Sequence, residues 1–196
     1  MNDEHNCIAA TLRGDTAAFC ELVEHYQRDV YNLAYRMMGD SVEAEDAAQE
    51  AFLRAYTRLS TYQAGRSFRT WLLSITAHYC IDRLRGGAMR RLSWLSIDAD
   101  EAPAESLTSP TPGPEDSLLR SERERAIHKL LAGLAPDYRL PIVLRYWYDM
   151  SYEEIAEMSG SSVSAIKSRL FRARGQLADI LDQTPTRALT PIFQEV

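Results

Sequence analysis

Apolar side chains recur along this chain at steps of three and four, and no sustained alternation of Val, Ile or Thr announces a strand. The pattern predicts an all-α protein. Phe19, Leu22, Val23, Tyr26, Val30, Leu33 and Met37 form one helical stripe, closed by Gly39 where a left-handed cap is favoured. Asp40 followed by Glu43 starts a second helix, whose small inner face (Ala44, Ala48, Ala51, Ala55, Leu59) permits close packing. A loop over 61–66 precedes a third helix spanning about 67–85, with Phe68, Leu72, Ile75 and Tyr79 inward and Gly86-Gly87 stopping it.

The pattern then lapses. The segment 93–117 holds four prolines and six acids with little apolar content, too little to offset its ordering entropy, so it reads as an extended, flexible acidic linker. Beyond it Leu119, Ile127, Leu130, Leu131 and Leu134 mark another helix, and Pro136 opens the next. Pro141 lacks the amide that would bond back to the Asp137 carbonyl, which predicts a bend or an irregular first turn. Ser151 with Glu154 is a capping box, Gly160 allows a tight turn, and Ser162 can cap the helix that follows. This is a helix-turn-helix. Its second helix points Val163, Ile166 and Leu170 inward. Ser164, Ala165, Lys167, Ser168 and Arg172 point outward, flanked by Arg169 and Arg174. Two small helical domains, 10–92 and 118–181, are thus expected around a linker, 93–117, with a frayed tail at 182–196.

Composition narrows the setting. No apolar run approaches the roughly 20 residues of a membrane span, and the acid-bearing start Met1-Asn-Asp-Glu-His lacks the basic region of a secretory signal. A cytoplasmic protein is expected. Cys7, Cys20 and Cys80 form neither a disulfide framework nor a zinc ribbon, and Cys20 and Cys80 fall among helical apolar positions as small buried hydrophobes. The net charge of -6 hides a patterned distribution. Residues 67–92 carry five bases against one acid, and 159–177 carry four bases and no acid. Two basic islands therefore sit in an acidic chain, which suits contact with a polyanion.

Enzyme chemistry finds little support. His5, His25, His78 and His128 are scattered, and no phosphate loop, His-Glu-x-x-His or nucleophile elbow is present. No catalytic residue, metal site or cofactor is expected. The hydroxyls and cations of the last helix suit phosphates and base edges in a major groove, though a plain helical hairpin with a solvated basic face has the same pattern. Glu43, Asp46, Glu50 and Arg54 share a stripe of the second helix, with Gln49 beside it; a solvated face is the ordinary explanation of such a stripe. The third helix combines Phe68 and Trp71 with Arg69, Arg83, Arg85, Arg90 and Arg91. That mixture binds an unstacked strand, while aromatics at this spacing also serve as core.

The order of these parts resembles the extracytoplasmic-function sigma factors, initiation subunits of bacterial RNA polymerase, over about residues 10–180. Ala44-Glu-Asp-Ala-Ala-Gln-Glu-Ala-Phe-Leu-Arg-Ala-Tyr56 is similar to the family's polymerase-binding helix. Phe68-Arg-Thr-Trp-Leu72, with Ile75, Asp82 and Arg85, resembles the segment that melts and reads the -10 element. Tyr152-Glu-Glu-Ile-Ala156, then Lys167-Ser-Arg-Leu170 and Arg172-Ala-Arg174, resembles the -35-reading helix-turn-helix.

The resemblance implies that Glu43, Asp46, Gln49, Glu50 and Arg54 dock on the polymerase clamp. It assigns the -10 strand to Tyr62, Phe68, Arg69, Trp71, His78, Arg85, Arg90 and Arg91. The -35 duplex falls to Ser162, Ser164, Ala165, Lys167, Ser168, Arg169 and Arg172. Implied partners are core RNA polymerase, promoter DNA and an anti-sigma factor, with the acidic linker threading the enzyme's cleft. His78 stands where the family commonly has Asn, Ser159 replaces an apolar residue, and Ser164-Ala165 replaces a common Gly-Thr pair. Two rival readings are a stand-alone helix-turn-helix regulator, which would bind its operator tightly without polymerase, and a helical interaction protein or enzyme using the His and Cys residues.

Overall fold

A computed structural model of the chain describes residues 2–93 and 114–183, with side chains over 4–86 and 123–181; its regular elements there are helical. The first, α1 (Asn2–Leu12), lies against α2 and seats Ile8 in the core. Its apolar content is too sparse for the pattern reading, which began the domain near residue 10. α2 (Thr16–Met38) starts at Asp15, whose Oδ1 accepts from the amides of Ala17 and Ala18 at 2.9 and 3.2 Å. It ends at Gly39, in the left-handed conformation at φ 81°, whose amide donates to the Tyr35 carbonyl.

Asp40 caps α3 (Ser41–Arg58) by accepting from the Glu43 amide at 2.9 Å. The buried small face of α3 is Ala44, Ala47, Ala51 and Ala55. Ala47 takes the place expected for Ala48, which is half-buried. α4 (Phe68–Ser93) runs through Gly86-Gly87 instead of stopping there. Glycine weakens a helix by about 1 kcal/mol without having to end it, and Gly86 lies within α4 with no positive φ.

The acidic segment expected as a linker lies largely outside the described residues. Its last residues already belong to α5 (Pro114–Ala132), with Pro114 at the first helical position, where its missing amide costs nothing. α6 (Pro136–Trp147) runs on through Pro141, and in its first turn the amides of Tyr138 and Arg139 share the Ala135 carbonyl, both at 2.9 Å, a common arrangement at a helix start. α7 (Tyr152–Met158) and α8 (Val163–Gln183) form the helix-turn-helix. The capping box is complete, Ser151 Oγ accepting from the Glu154 amide at 3.1 Å and the Glu154 carboxylate from the Ser151 amide at 2.7 Å. Those bonds favour the charged form and hold the Glu154 pKa below its ordinary value. Gly160 makes the turn at φ 61°, and Ser162 Oγ accepts from the Ala165 amide at 3.2 Å.

Two buried clusters organise the packing. One belongs to the first half alone: Ile8, Leu22, Tyr26, Val30, Ala51, Ala55, Leu59, Phe68 and Leu72. The other crosses between the halves, joining Leu33, Met37, Leu73, Ala77 and Cys80 to Leu140, Val143, Leu144, Ile155, Ile166 and Leu170. α6 therefore rests on α2 and α4. Cys80 is buried as expected, and burial pushes its thiol up to about 12. Cys20 is exposed, contrary to expectation. It stands 200° around α2 from Ala18, the inward residue, and so faces away from the core.

Candidate functional site

The stripe on α3 divides in two. Glu50 pairs with Arg54 at 2.7 Å, Arg54 lies over the Tyr79 ring at 4.7 Å, and Glu43 meets Arg83 at 3.9 Å, so these three lean on α4. Asp46 and Gln49 face outward instead. They align at helical spacing with Val42, Leu53 and Tyr56, three large apolar side chains left exposed, Leu53 at 63%. An apolar strip broken by one carboxylate and one amide fits a protein partner better than water. The apolar members were missed because the sequence reading followed the charges.

Four rings from α2, α4 and the loop before α4 pack together. Phe68 lies 5.5 Å from Tyr26, 5.4 Å from Tyr62 and 5.4 Å from Trp71, and Tyr62 stands 5.5 Å from Trp71. Phe68 is only 1% exposed. Its ring cannot stack on a base, and the expectation that it contacts DNA is corrected: it is the core support on which Tyr62 and Trp71 sit, both half-buried. The Tyr62 hydroxyl donates to the Arg66 carbonyl at 2.6 Å, pinning the loop, and burial raises its pKa.

Arg69 binds Asp29 at 2.5 Å and lies 5.2 Å over the Tyr148 ring. His78 is exposed, with Nδ1 2.6 Å from the Ser74 carbonyl. A carbonyl only accepts, so Nδ1 is the donor in that bond. Arg90 and Arg91 fall on the last turns of α4, but their side chains lie outside the described residues.

On α8 the buried line Ile166, Leu170, Ala173 and Leu177 holds the helix to its domain. Ser162, Ser164, Lys167, Ser168 and Arg172 are exposed, with Ala165 and Arg169 half-buried. Arg169 donates to Ser161 Oγ at 3.0 Å and braces the turn. Phe171, absent from the sequence reading, stands among the outward residues at 75% exposure. Its position one residue past the buried Leu170 was the available signal. Hydroxyls, cations and one bare aromatic thus share the face that a major groove would receive.

The two halves confront each other across the α4 surface. Thr70, Trp71 and Ser74 line a cleft of about 260 Å³ whose far wall carries Glu154 and Glu157. Arg66 pairs with Glu157 at 2.6 Å. Further along, Arg85 holds both oxygens of Asp137 at 2.7 and 2.8 Å, and the Tyr148 hydroxyl donates to the Asp29 carbonyl at 2.7 Å. Burial, with Asp29 nearby, raises the Tyr148 pKa.

Comparison with known proteins places these elements. Residues 22–90 match Sigma-70 region 2 and residues 124–177 match Sigma-70, region 4. The chain is similar to the ECF RNA polymerase sigma factor SigW of Bacillus subtilis, 36% identical over 87% of this chain and 92% of that protein. It is 34% identical to the RNA polymerase sigma-H factor of Pseudomonas aeruginosa over 100% of this chain and 98% of the relative. Among solved structures it resembles CnrH in complex with the cytosolic domain of CnrY, with a TM-score of 0.62, 25% identity, and coverage of 92% of this chain and 98% of CnrH. Region 2 takes in α2 to α4 and region 4 takes in α5 to α8. The chain belongs to the extracytoplasmic-function sigma factors, and its function is to direct promoter-specific initiation of transcription.

Proposed function

We propose that the three surfaces divide the work of initiation. The α3 strip of Val42, Asp46, Gln49, Leu53 and Tyr56 docks on core RNA polymerase, with Glu43, Glu50 and Arg54 fixing its angle against α4. Tyr62, Trp71 and His78 receive the melted non-template strand at the -10 element, with Arg66, Arg69 and Arg85 for its phosphates and Arg90 and Arg91 further along. Extruding a base costs a few kcal/mol, and stacking on an aromatic returns roughly 1 to 3 kcal/mol. Ser164, Lys167, Ser168, Phe171 and Arg172 read the -35 duplex, with Phe171 available to a thymine methyl.

The observation that carries the reading is the exposed face of α8. A helix held by four buried apolar residues still leaves hydroxyls, two cations and an aromatic in water beside a complete helix-turn-helix. The chain acts in the cytoplasm as a regulatory subunit and not as an enzyme, and an anti-sigma factor belongs among its partners as the family resemblance implies. No described helix is long and apolar enough to cross a membrane.

The stand-alone regulator is the weaker reading, since it leaves the exposed α3 strip without a partner. Run-off transcription on a fragmented genome library, with core polymerase and with or without the chain at stated salt, tests the proposal. Discrete new start sites are expected, and their absence beside a core enzyme active with another sigma would refute it.

A further inference from the structure

Helix α1 lies before the residues that match Sigma-70 region 2, 22–90, and none of the three working surfaces includes it. Its placement is nonetheless specific. α1 packs on α2 and also meets the short turn Leu59–Thr61, from which the chain leads directly into Tyr62. Ile8 of α1 is buried in one cluster with Leu59 of that turn, Tyr26 of α2 and Phe68 of α4. One helical turn before Ile8, the Glu4 carboxylate accepts a hydrogen bond from the hydroxyl of Tyr26, a residue only 6% exposed. Burial first, and then Glu4, raise the pKa of both Tyr26 and Tyr62, so one carboxylate acts on two aromatic hydroxyls from different elements.

We infer that α1 braces the strand-capturing loop and that Glu4 is a positioning residue for promoter opening: tied to Tyr26, it fixes the seat of Tyr62, which receives the melted strand. The inference rests on the promoter reading of Tyr62 and Trp71. Ring contacts carry the effect from Tyr26 to the capture surface. Tyr26 lies 5.5 Å from Phe68, and Phe68 lies 5.4 Å from Tyr62 and 5.4 Å from Trp71. Tyr62 is also held at both ends, its amide donating to the Leu59 carbonyl at 3.0 Å and its hydroxyl to the Arg66 carbonyl at 2.6 Å. Leu59, buried in the cluster with Ile8, therefore sets where the loop begins. A close-packed core transmits a shift instead of absorbing it, so loosening α1 moves the Tyr62 ring away from the geometry on which a base stacks. Glu4 acts through Tyr26 and Tyr62 and not as a contact of the strand, whose phosphates a carboxylate repels.

The test uses the full chain with core polymerase on a promoter found by run-off, below the melting midpoint of every variant, and compares wild type with Glu4→Ala, Glu4→Gln, Tyr26→Phe and Tyr62→Ala. Permanganate reactivity at the -10 region is followed in time as holoenzyme concentration is raised, which separates closed-complex affinity from the rate of opening at saturation. Glu4→Ala and Tyr26→Phe should slow opening at saturation about 5- to 10-fold, a partial loss of what stacking on the ring supplies. Closed-complex affinity and core binding should stay at the wild-type value. Glu4→Gln keeps an acceptor for the Tyr26 hydroxyl and should recover most of the rate. In the Tyr62→Ala background Glu4→Ala should add nothing, because the two residues act in series.

Opening at the wild-type rate by Glu4→Ala would overturn the proposal, as would a Glu4→Gln variant equally slow or a Glu4→Ala defect that persists in full beside Tyr62→Ala. A defect cured by adding more protein would also overturn it, since a helix that only stabilises the fold changes the number of active molecules and not their rate. The two readings separate. Normal opening by Tyr62→Ala and Trp71→Ala would remove the promoter reading itself, whereas slow opening by those two with normal opening by Glu4→Ala and Tyr26→Phe would remove the brace alone.

Discussion

Arg139 of α6 donates to the main-chain carbonyl of Met37, 102 residues earlier at the end of α2. Its other nitrogen donates to the carbonyls of Ala132 and Leu134 at 3.1 Å each. The guanidinium is buried with no carboxylate partner among the described residues, and burial lowers its pKa. The carbonyls of Met37 and Ala132 are helix C-terminal groups, which favour a cation. One side chain therefore ties α2, α5 and α6 together. Replacing Arg139 by Met leaves three carbonyls without this donor, so a loss of about 3 kcal/mol in urea unfolding is expected. Lysine should recover less than half, because its single ammonium lacks the planar fork that spans two helix ends.

His128 gives the same junction a pH dependence. Burial first, then the neighbouring Arg36 and Arg139, lower its pKa to about 4, and its ring packs 4.2 Å from Tyr35. The unfolded chain, with His near 6.5, binds the proton more readily. Stability from the neutral ring is therefore complete above about pH 6.5 and is lost as pH falls toward about 4. Urea midpoints of wild type and His128→Gln, measured between pH 7 and 4.5, should converge as the wild type loses on the order of 2 kcal/mol that the variant never had.

Phe68 and Trp71 are three residues apart, and their variants should fail differently. Phe68→Ala empties a site in the core and should cost about 3 to 5 kcal/mol of stability. Trp71→Ala removes a half-buried ring from the cleft wall, so it should cost less stability while impairing transcription. Calorimetry on both variants, followed by run-off at a temperature where both are folded, separates the roles.

Leu53→Glu should leave the unfolding midpoint within about 0.5 kcal/mol of wild type, because the side chain faces solvent. Affinity for core polymerase, read by titration of a labelled chain, should fall at least about tenfold, as for other central apolar anchors.

Phe171→Ala should likewise spare stability while weakening -35 duplex binding by about 1 to 3 kcal/mol at sites carrying thymine. Substituting uracil for that thymine in the wild-type complex should reproduce the loss, since only the methyl is removed.

How much of this was legible follows the reach of each interaction. Gly39, Asp40, Ser151 and Ser162 act on groups within four residues, and their caps are where the spacing puts them. Gly86-Gly87 was misread because the residue type signals flexibility while the backbone conformation decides the stop. Cys20 shows the limit of periodicity: a helix face can be drawn from spacing, but which arc is covered depends on neighbours elsewhere in the chain, whereas spacing did place Phe68 inward and only the DNA contact implied by resemblance failed. The bonds Arg139 to Met37, Arg85 to Asp137 and Tyr148 to Asp29 span 102, 52 and 119 residues. Nothing local encodes them, so the meeting of the two DNA-facing surfaces emerged only from the fold. The α3 strip was half legible, its acids through charge and its apolar members only through exposure.

The most direct measurement is permanganate reactivity of thymines at the -10 region of a promoter found by run-off, with core polymerase and either the wild-type chain or Trp71→Ala. Reactive thymines are expected with core enzyme and wild type together and with neither alone, and they should be lost with Trp71→Ala while core binding persists. Reactivity that never appears with the complete wild-type holoenzyme, on a template another sigma can open, would contradict the assignment of α4 as the surface that captures the melted strand.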